Sequence, residues 1–189
     1  NNSEIATQLY ELRSHGITKD KNKFVDKDIY TWKYEQQSLG FNYRMPDINA
    51  ALGLSQLKRL DKIVDERNKL YQNYIHLFSE LPLKMLEIPE NVISSVHLAV
   101  LLLDQSLSGK HSKLFDMLRS SSIGVQVHYI PVHTQPYFRK LGFCKNNFPK
   151  SEEYSIRAIS IPLFPGLTNE DQLYVFKSLD AHIHTLNKI

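Results

Sequence analysis

The chain has 189 residues, 42% of them hydrophobic and 23% charged, with a formal net charge of +3 when histidine is neutral. That is the make-up of a soluble globular chain able to close one ordinary core, and it excludes disordered and collagen-like classes. The single cysteine, Cys144, excludes an intrachain disulfide and a cysteine-built zinc site.

The longest apolar run, Leu98 to Leu103, is far short of the roughly 18 residues a membrane helix needs. The cations Lys58, Arg59 and Lys62 are interleaved with Asp61, Asp65 and Glu66, which is a solvated helix face and not the basic stripe of a nucleic-acid binder. A cytoplasmic protein with no membrane or nucleic-acid partner and no bound metal is expected. The N-terminus reads Asn1-Asn2-Ser3-Glu4, without a signal peptide or an initiating methionine, so the chain is expected to begin inside a longer polypeptide or to have been processed.

In chain order, Ser3 is in position to cap a helix running to about Ser14, with Ile5, Leu9 and Leu12 on one side and Gly16 where a left-handed residue ends it. Thr18 to Leu39 is polar with scattered aromatics (Phe24, Tyr30, Trp32, Tyr34) and reads as an irregular excursion that includes a short hairpin at most. Pro46 and Asp47 open a long helical pattern reaching Phe78 and stopping at Pro82; its length predicts a bend or break between Leu57 and Asp61. Strands are predicted at Val96–Leu103, Val125–Tyr129 and Ala158–Leu163, and helices at Ser112–Ser120 and Ser151–Arg157. Thr168 and Asp171 form a capping box that opens a last helix through Ile183. The alternation implies an α/β fold with a small sheet flanked by helices.

Two loops carry chemistry. In Gly40-Phe41-Asn42-Tyr43-Arg44-Met45-Pro46-Asp47, Asn42 offers amide donors and Arg44 a fork of donors just ahead of a helix N-terminus, a combination suited to phosphate oxygens. The same residues also suit a plain helix start, with Arg44 paired to Asp47. In Gln126 to Tyr137, two histidines, two tyrosines and two prolines follow a strand; stiff, aromatic and polar, the segment suits a sugar or a base, or simply fills a satellite core. His128 and His133 share neither a strand face nor a helix face, which argues against a metal pair.

The string Leu12-Arg13-Ser14-His15-Gly16 and the contiguous run from Gly40 to Leu57 resemble signatures of the DegT/DnrJ/StrS sugar aminotransferases. Val127 to Tyr137, Leu141-Gly142-Phe143 and Ala158 to Thr168 are similar to the pseudaminic-acid branch, whose members make UDP-4-amino-4,6-dideoxy-N-acetyl-β-L-altrosamine. The resemblance implies the C-terminal part of a fold type I transferase dependent on pyridoxal 5'-phosphate (PLP). Residues 1–88 would be the end of the large domain with a long interdomain helix, and 89–189 the small α/β domain.

It further implies that no residue of this chain is catalytic, because the cofactor lysine is expected upstream of Asn1; alone, the chain is expected to be inactive. Asn42 is expected to bind the PLP phosphate of a partner subunit in a homodimer with shared active sites, and Arg44 to support that loop or meet phosphate. His128, Tyr129, Ile130, Pro131, His133 and Tyr137 are expected to contact the substrate. The implied reaction moves an amino group from L-glutamate to the 4-keto carbon of a UDP-linked 6-deoxy hexosulose. The alternatives are a non-catalytic binding or assembly domain and a PLP-dependent sugar dehydratase relative.

Overall fold

The computed structural model describes residues 1–27 and 30–188; Asp28 and Ile29, inside the polar excursion, and Ile189 lie outside the described residues. The chain forms two compact units, residues 1–58 and 59–189. Among the described residues no helix is long and apolar enough to cross a membrane.

The first unit opens with α1 (Ser3–Leu12). Its cap is Asn2, not Ser3: the Asn2 side chain accepts the backbone N–H groups of Glu4 and Ile5 at 2.9 and 3.2 Å, satisfying two of the donors that a helix start leaves over. The excursion that follows does contain a minimal hairpin, β1 (Ile17–Thr18) against β2 (Glu35–Gln36), antiparallel. Glu35 closes the loop between them. Its carboxylate accepts the N–H groups of Val25 and Asp26 at 2.6 and 3.1 Å and pairs with Lys33 at 3.3 Å; the Val25 bond is the main reason its pKa lies below the ordinary glutamate value. Next, α2 (Asp47–Leu57) is opened by Pro46 and buries none of its residues.

The helical pattern breaks at Lys58 and Arg59, within the predicted window, and resumes as α3 (Leu60–Leu77). Its Tyr71 and Tyr74, with Phe78 just beyond, are buried in the second unit. That unit holds β3 (Leu83–Met85), β4 (Ala99–Leu103), α4 (His111–Ser120), α5 (Pro136–Lys140), α6 (Pro149–Ser155), β5 (Ala158–Ile161) and α7 (Asn169–Asn187). The sheet is antiparallel in the order β3-β4-β5, with Val100 opposite Ser160 and Leu101 opposite Ile159. Side chains alternate along a strand, so Ala99, Leu101, Leu103, Ile159 and Ile161 share the core with Tyr74, Leu114, Leu118, Val175, Leu179 and Ile183. Val100 and Ser160 lie on the other face and are buried as well. The capping box of α7 is formed as predicted: Thr168 Oγ1 accepts the Asp171 N–H, and the Asp171 carboxylate accepts the Thr168 N–H.

The structure adds a strand and the short helix Pro136–Lys140 to the predicted elements and loses one strand. Leu83–Met85 is a strand that the pattern missed, because three residues are too few to show a period. The predicted strand Val125–Tyr129 is reduced to one bridge, Gln126 to Ser160. Beyond it the Gln126 side chain takes the Val127 N–H at 2.9 Å, the His128 ring bonds the Ser160 hydroxyl, and Pro131 has no N–H to offer a ladder.

Leu179 is fully buried, whereas Ile48 is 83% exposed. Leu179→Ala is expected to cost about 2–5 kcal/mol, and Ile48→Ala within roughly 0.5 kcal/mol of nothing; urea unfolding of the two variants measures the contrast.

Candidate functional site

The first loop is fastened by backbone. The chain past α1 turns through two left-handed residues, His15 at φ 64° and Gly16 at φ 69°, the conformation that closes helix C-termini. The segment around Gly40 then lies across this turn. Phe41 N–H donates to Leu12 O at 2.7 Å, His15 N–H to Phe41 O at 2.9 Å and Tyr43 N–H to Arg13 O at 2.9 Å. The approach is so close that a Cβ on Gly16 would stand 1.9 Å from Ser38 O, and one on Gly40 would stand 2.1 Å from Gly16 N. Glycine at both positions is therefore a steric requirement.

The bridge between Ser14 and Asn42 sets the latter at the end of this clasp. Asn42 and Arg44 are both exposed. Among the described residues neither side chain has a hydrogen bond or ion pair, and the Arg44–Asp47 pair, the structural alternative for this loop, is not formed. Two unspent donor groups thus sit next to the N-terminus of α2, whose first N–H groups and dipole also favour an anion. The donor set fits a phosphate ester.

The second loop is built on β5. Backbone bonds of 3.1 and 2.8 Å join Gln126 and Ser160 in both directions, and His128 Nδ1 lies 2.7 Å from Ser160 Oγ. The ring of Tyr129 meets that of His128 edge-on at 4.6 Å, across a cis peptide bond. Tyr129, Ile130 and Tyr137 are exposed, and Pro131 and His128 half-buried.

His133 is different: it is only 7% exposed. It sits in a short 3-10 turn, Val132–Thr134, where its Nε2 meets Glu152 Oε1 at 2.8 Å and its ring meets the edge of Phe148. The same carboxylate oxygen accepts the Asn146 N–H at 2.7 Å. The bond from His133, ahead of the other contacts, holds the Glu152 pKa below the usual carboxylate value. So of the six residues expected to meet substrate, His133 is the one the fold turns inward, where it ties the loop to α6. Two hollows of about 370 Å³ adjoin this tie, one lined by Val132, His133, Phe138, Phe143 and Phe148 and one of mixed lining (Pro131, Arg139, Lys145, Glu152, Ile156). Among the described residues no group of three or more His, Cys, Asp or Glu gathers to hold a metal.

Ser160 and Glu152 escaped the sequence reading. Ser160 had a signal, as the one hydroxyl in an otherwise apolar strand, Ala158-Ile159-Ser160-Ile161. Glu152 had none, since its partner is distant in the chain and it looks like any acid in a short amphipathic helix.

Compared with known proteins, residues 1–180 match the model of the DegT/DnrJ/EryC1/StrS aminotransferase family. The spore coat polysaccharide biosynthesis protein SpsC of Bacillus subtilis is 34% identical, over 89% of this chain and 44% of its own length. The putative sugar aminotransferase Spr1654 of Streptococcus pneumoniae, in its PMP form, superposes with a TM-score of 0.88 at 26% identity, covering 100% of this chain and 46% of that one. PseC of Helicobacter pylori, an aminotransferase involved in the biosynthesis of pseudoaminic acid, superposes at 0.85 and 26% identity, covering 98% and 47%. The α/β fold of small sheets flanked by helices is that of these aminotransferases. The chain spans about half the length of the curated relatives it matches, 47% and 44% for two of them.

Two outcomes follow from the geometry. Gly40→Ala forces backbone apart and is expected to destabilise the first unit by about 1–3 kcal/mol or more; hydrogen exchange at the Phe41 and Tyr43 amides, protected in the parent, should become fast. Glu152 has a folded pKa below its ordinary 4.5, so the stability it contributes is present above pH 4.5 and is lost as pH falls through the lower folded value. Glu152→Gln should therefore flatten the acid limb of a stability–pH profile below about pH 4.5, and an unchanged limb would rule this pair out as its source.

Proposed function

Because the chain belongs to the DegT/DnrJ/EryC1/StrS aminotransferase family, we propose that it is part of a PLP-dependent aminotransferase acting on a nucleotide sugar. The reaction moves an amino group from L-glutamate to the 4-keto carbon of a UDP-linked 6-deoxy hexosulose, in the making of a pseudaminic-acid-type surface glycan. One observation carries the reading: the clasp between the α1 C-terminus and Gly40 presents Asn42 and Arg44, exposed and without hydrogen-bond partners among the described residues, beside the N-terminus of α2.

PLP, when bound, supplies the electron sink and carries the amino group between donor and sugar. In this reading the lysine that holds it lies in the part of the relatives' length that the chain does not span. The Asn42 amide donates to a phosphate oxygen, Arg44 adds charge to the same anion, and the α2 dipole reinforces both. These residues complete the site of a second subunit. The unburied apolar residues of α2, with Ile48, Leu52, Leu54 and Leu57 all exposed, support a helix that is covered in a homodimer of the whole protein.

α2 and α3 then connect the large domain to the small one, residues 89–189. In the small domain the exposed Tyr129, Ile130 and Tyr137 wall the sugar nucleotide, Pro131 stiffens that wall, and His133 holds it to α6 from behind. Placement of the sugar and exclusion of water are what this unit adds to the rate.

The test is a chimera in which this chain replaces the matching part of PseC. It is expected to aminate a UDP-linked 4-keto sugar with glutamate, whereas the 189-residue chain alone turns over none. Asn42→Ala in the chimera removes a charge-assisted bond worth about 1.5–3 kcal/mol, a loss of roughly 10–100-fold in PLP retention. Equal retention in the variant would refute the phosphate role.

A further inference from the structure

We propose that Ser160 is the positioning residue of His128: its hydroxyl donates to Nδ1, fixes the neutral ring as the Nε2–H tautomer, and so makes His128 a hydrogen-bond donor toward an acceptor oxygen of the ligand. The ligand class rests on the reading of the second loop as the sugar-nucleotide wall; the tautomer does not.

Ser160 is 5% exposed, on the strand face opposite the main hydrophobic core. A hydroxyl there replaces the apolar side chain that such a position favours, and it stays buried only if its hydrogen finds an acceptor. Among the described residues the single partner of Ser160 Oγ is His128 Nδ1, at 2.7 Å. Among the described residues no carbonyl takes its hydrogen, and no buried side-chain polar atom is left without a partner.

Two arrangements of the proton are conceivable. If Nδ1 carried the hydrogen and donated to Oγ, the serine hydrogen would be buried with nowhere to go. If Oγ donates to the bare Nδ1 lone pair, every buried group is satisfied, and the imidazole hydrogen must then be on Nε2. The second arrangement wins on the cost of an unmet buried donor.

Orientation is fixed by the same strand. Backbone bonds in both directions tie Ser160 to Gln126, two residues before His128, and the Tyr129 ring abuts the imidazole edge-on. Nε2 has no hydrogen-bond partner among the described residues. The ring is thus held through one nitrogen, while the other is free, on the loop that exposes Tyr129 and Ile130. An Nε2–H donor suits a sugar hydroxyl or a phosphate oxygen and not a cation or a ligand N–H.

The experiment is nitrogen-15 NMR of the imidazoles of this chain at about pH 8.5, where histidines of ordinary pKa near 6.5 are neutral, with His128 assigned by its absence in His128→Gln. The expected result is a bare Nδ1 and a protonated Nε2. Ser160→Ala should give averaged nitrogen shifts of mixed tautomers, and Ser160→Thr should restore the single form. Ser160→Cys, close in size and a poor donor, serves if the alanine variant fails to fold. A purely packing role for Ser160 would lower stability and leave the tautomer unchanged. A protonated Nδ1 in the parent, or an unaltered tautomer in the alanine or cysteine variant, overturns the proposal.

Adding UDP and then UDP-N-acetylglucosamine to the chimera with PseC, in which the rest of the site is present, reads the ligand side. Movement of the Nε2 signal with UDP alone places the acceptor oxygen on the nucleoside diphosphate, and movement only with UDP-N-acetylglucosamine places it on the hexose. If neither binds, the ligand half of the proposal and the sugar-nucleotide reading of the loop fall together, while the ligand-free spectra still decide the role of Ser160.

Discussion

Close approach of two stretches of backbone is the constraint on which the first unit depends. The last carbonyls of α1 need donors, and the segment around Gly40 supplies them through the Phe41 and Tyr43 N–H groups. That pairing works only if the chains come nearer than any Cβ allows, so Gly16 and Gly40 are fixed by sterics. Everything downstream takes its position from there: Asn42 bridges to Ser14, Arg44 follows, and Pro46 starts α2. A loop of exposed polar residues would ordinarily be adaptable. Here its backbone is pinned residue by residue, while the side chains at Asn42 and Arg44 have no partners among the described residues. Donors held rigid and unspent are what an anion site requires, because little ordering remains to be done on binding.

The second unit solves its positioning problem differently. Its sheet is short, and the segment after Gln126 leaves it at once. Side chains take over: Ser160 holds His128 from the strand, and Glu152 holds His133 from α6. Each bond is made by a buried or half-buried partner, so each is worth more than an exposed pair of the same geometry would be. Between these two anchors the chain exposes Tyr129 and Ile130 on a framework that cannot readily rotate.

This difference explains what was legible in the sequence. Backbone-pinned features left local traces: the left-handed turn at Gly16, the donor pair ahead of Pro46, the break at Lys58 and the Thr168–Asp171 capping box all lie within a few residues of the signal that announces them. The helices α4 and α7 were legible because their apolar period persists over several turns. β3 was not, since Leu83 and Met85 alone make no period. The segment Val125–Tyr129 has strand composition, yet its partners are the Ser160 backbone and hydroxyl, residues that lie far away in the chain. No window of sequence contains both halves of that interaction. The inward turn of His133 was hidden for the same reason, its acceptor being Glu152.

The uneven burial of the two helices that flank the break is part of the same logic. α3 buries Tyr71 and Tyr74, and the Tyr74 hydroxyl, its pKa raised by burial, donates to Pro162 O at 3.1 Å. α2 carries a comparable share of apolar residues and buries none. Intrinsic helix propensity does not stabilise eleven such residues in water without packing, and exposed apolar side chains around a helix are costly for solubility. A helix of that composition therefore makes sense as a surface to be covered. The loop that carries Asn42 and Arg44 leads directly into it, so whatever covers α2 is brought next to those donors. Under the proposed function the two features share one arrangement, in which the anion held by the loop belongs to a site completed when α2 is covered.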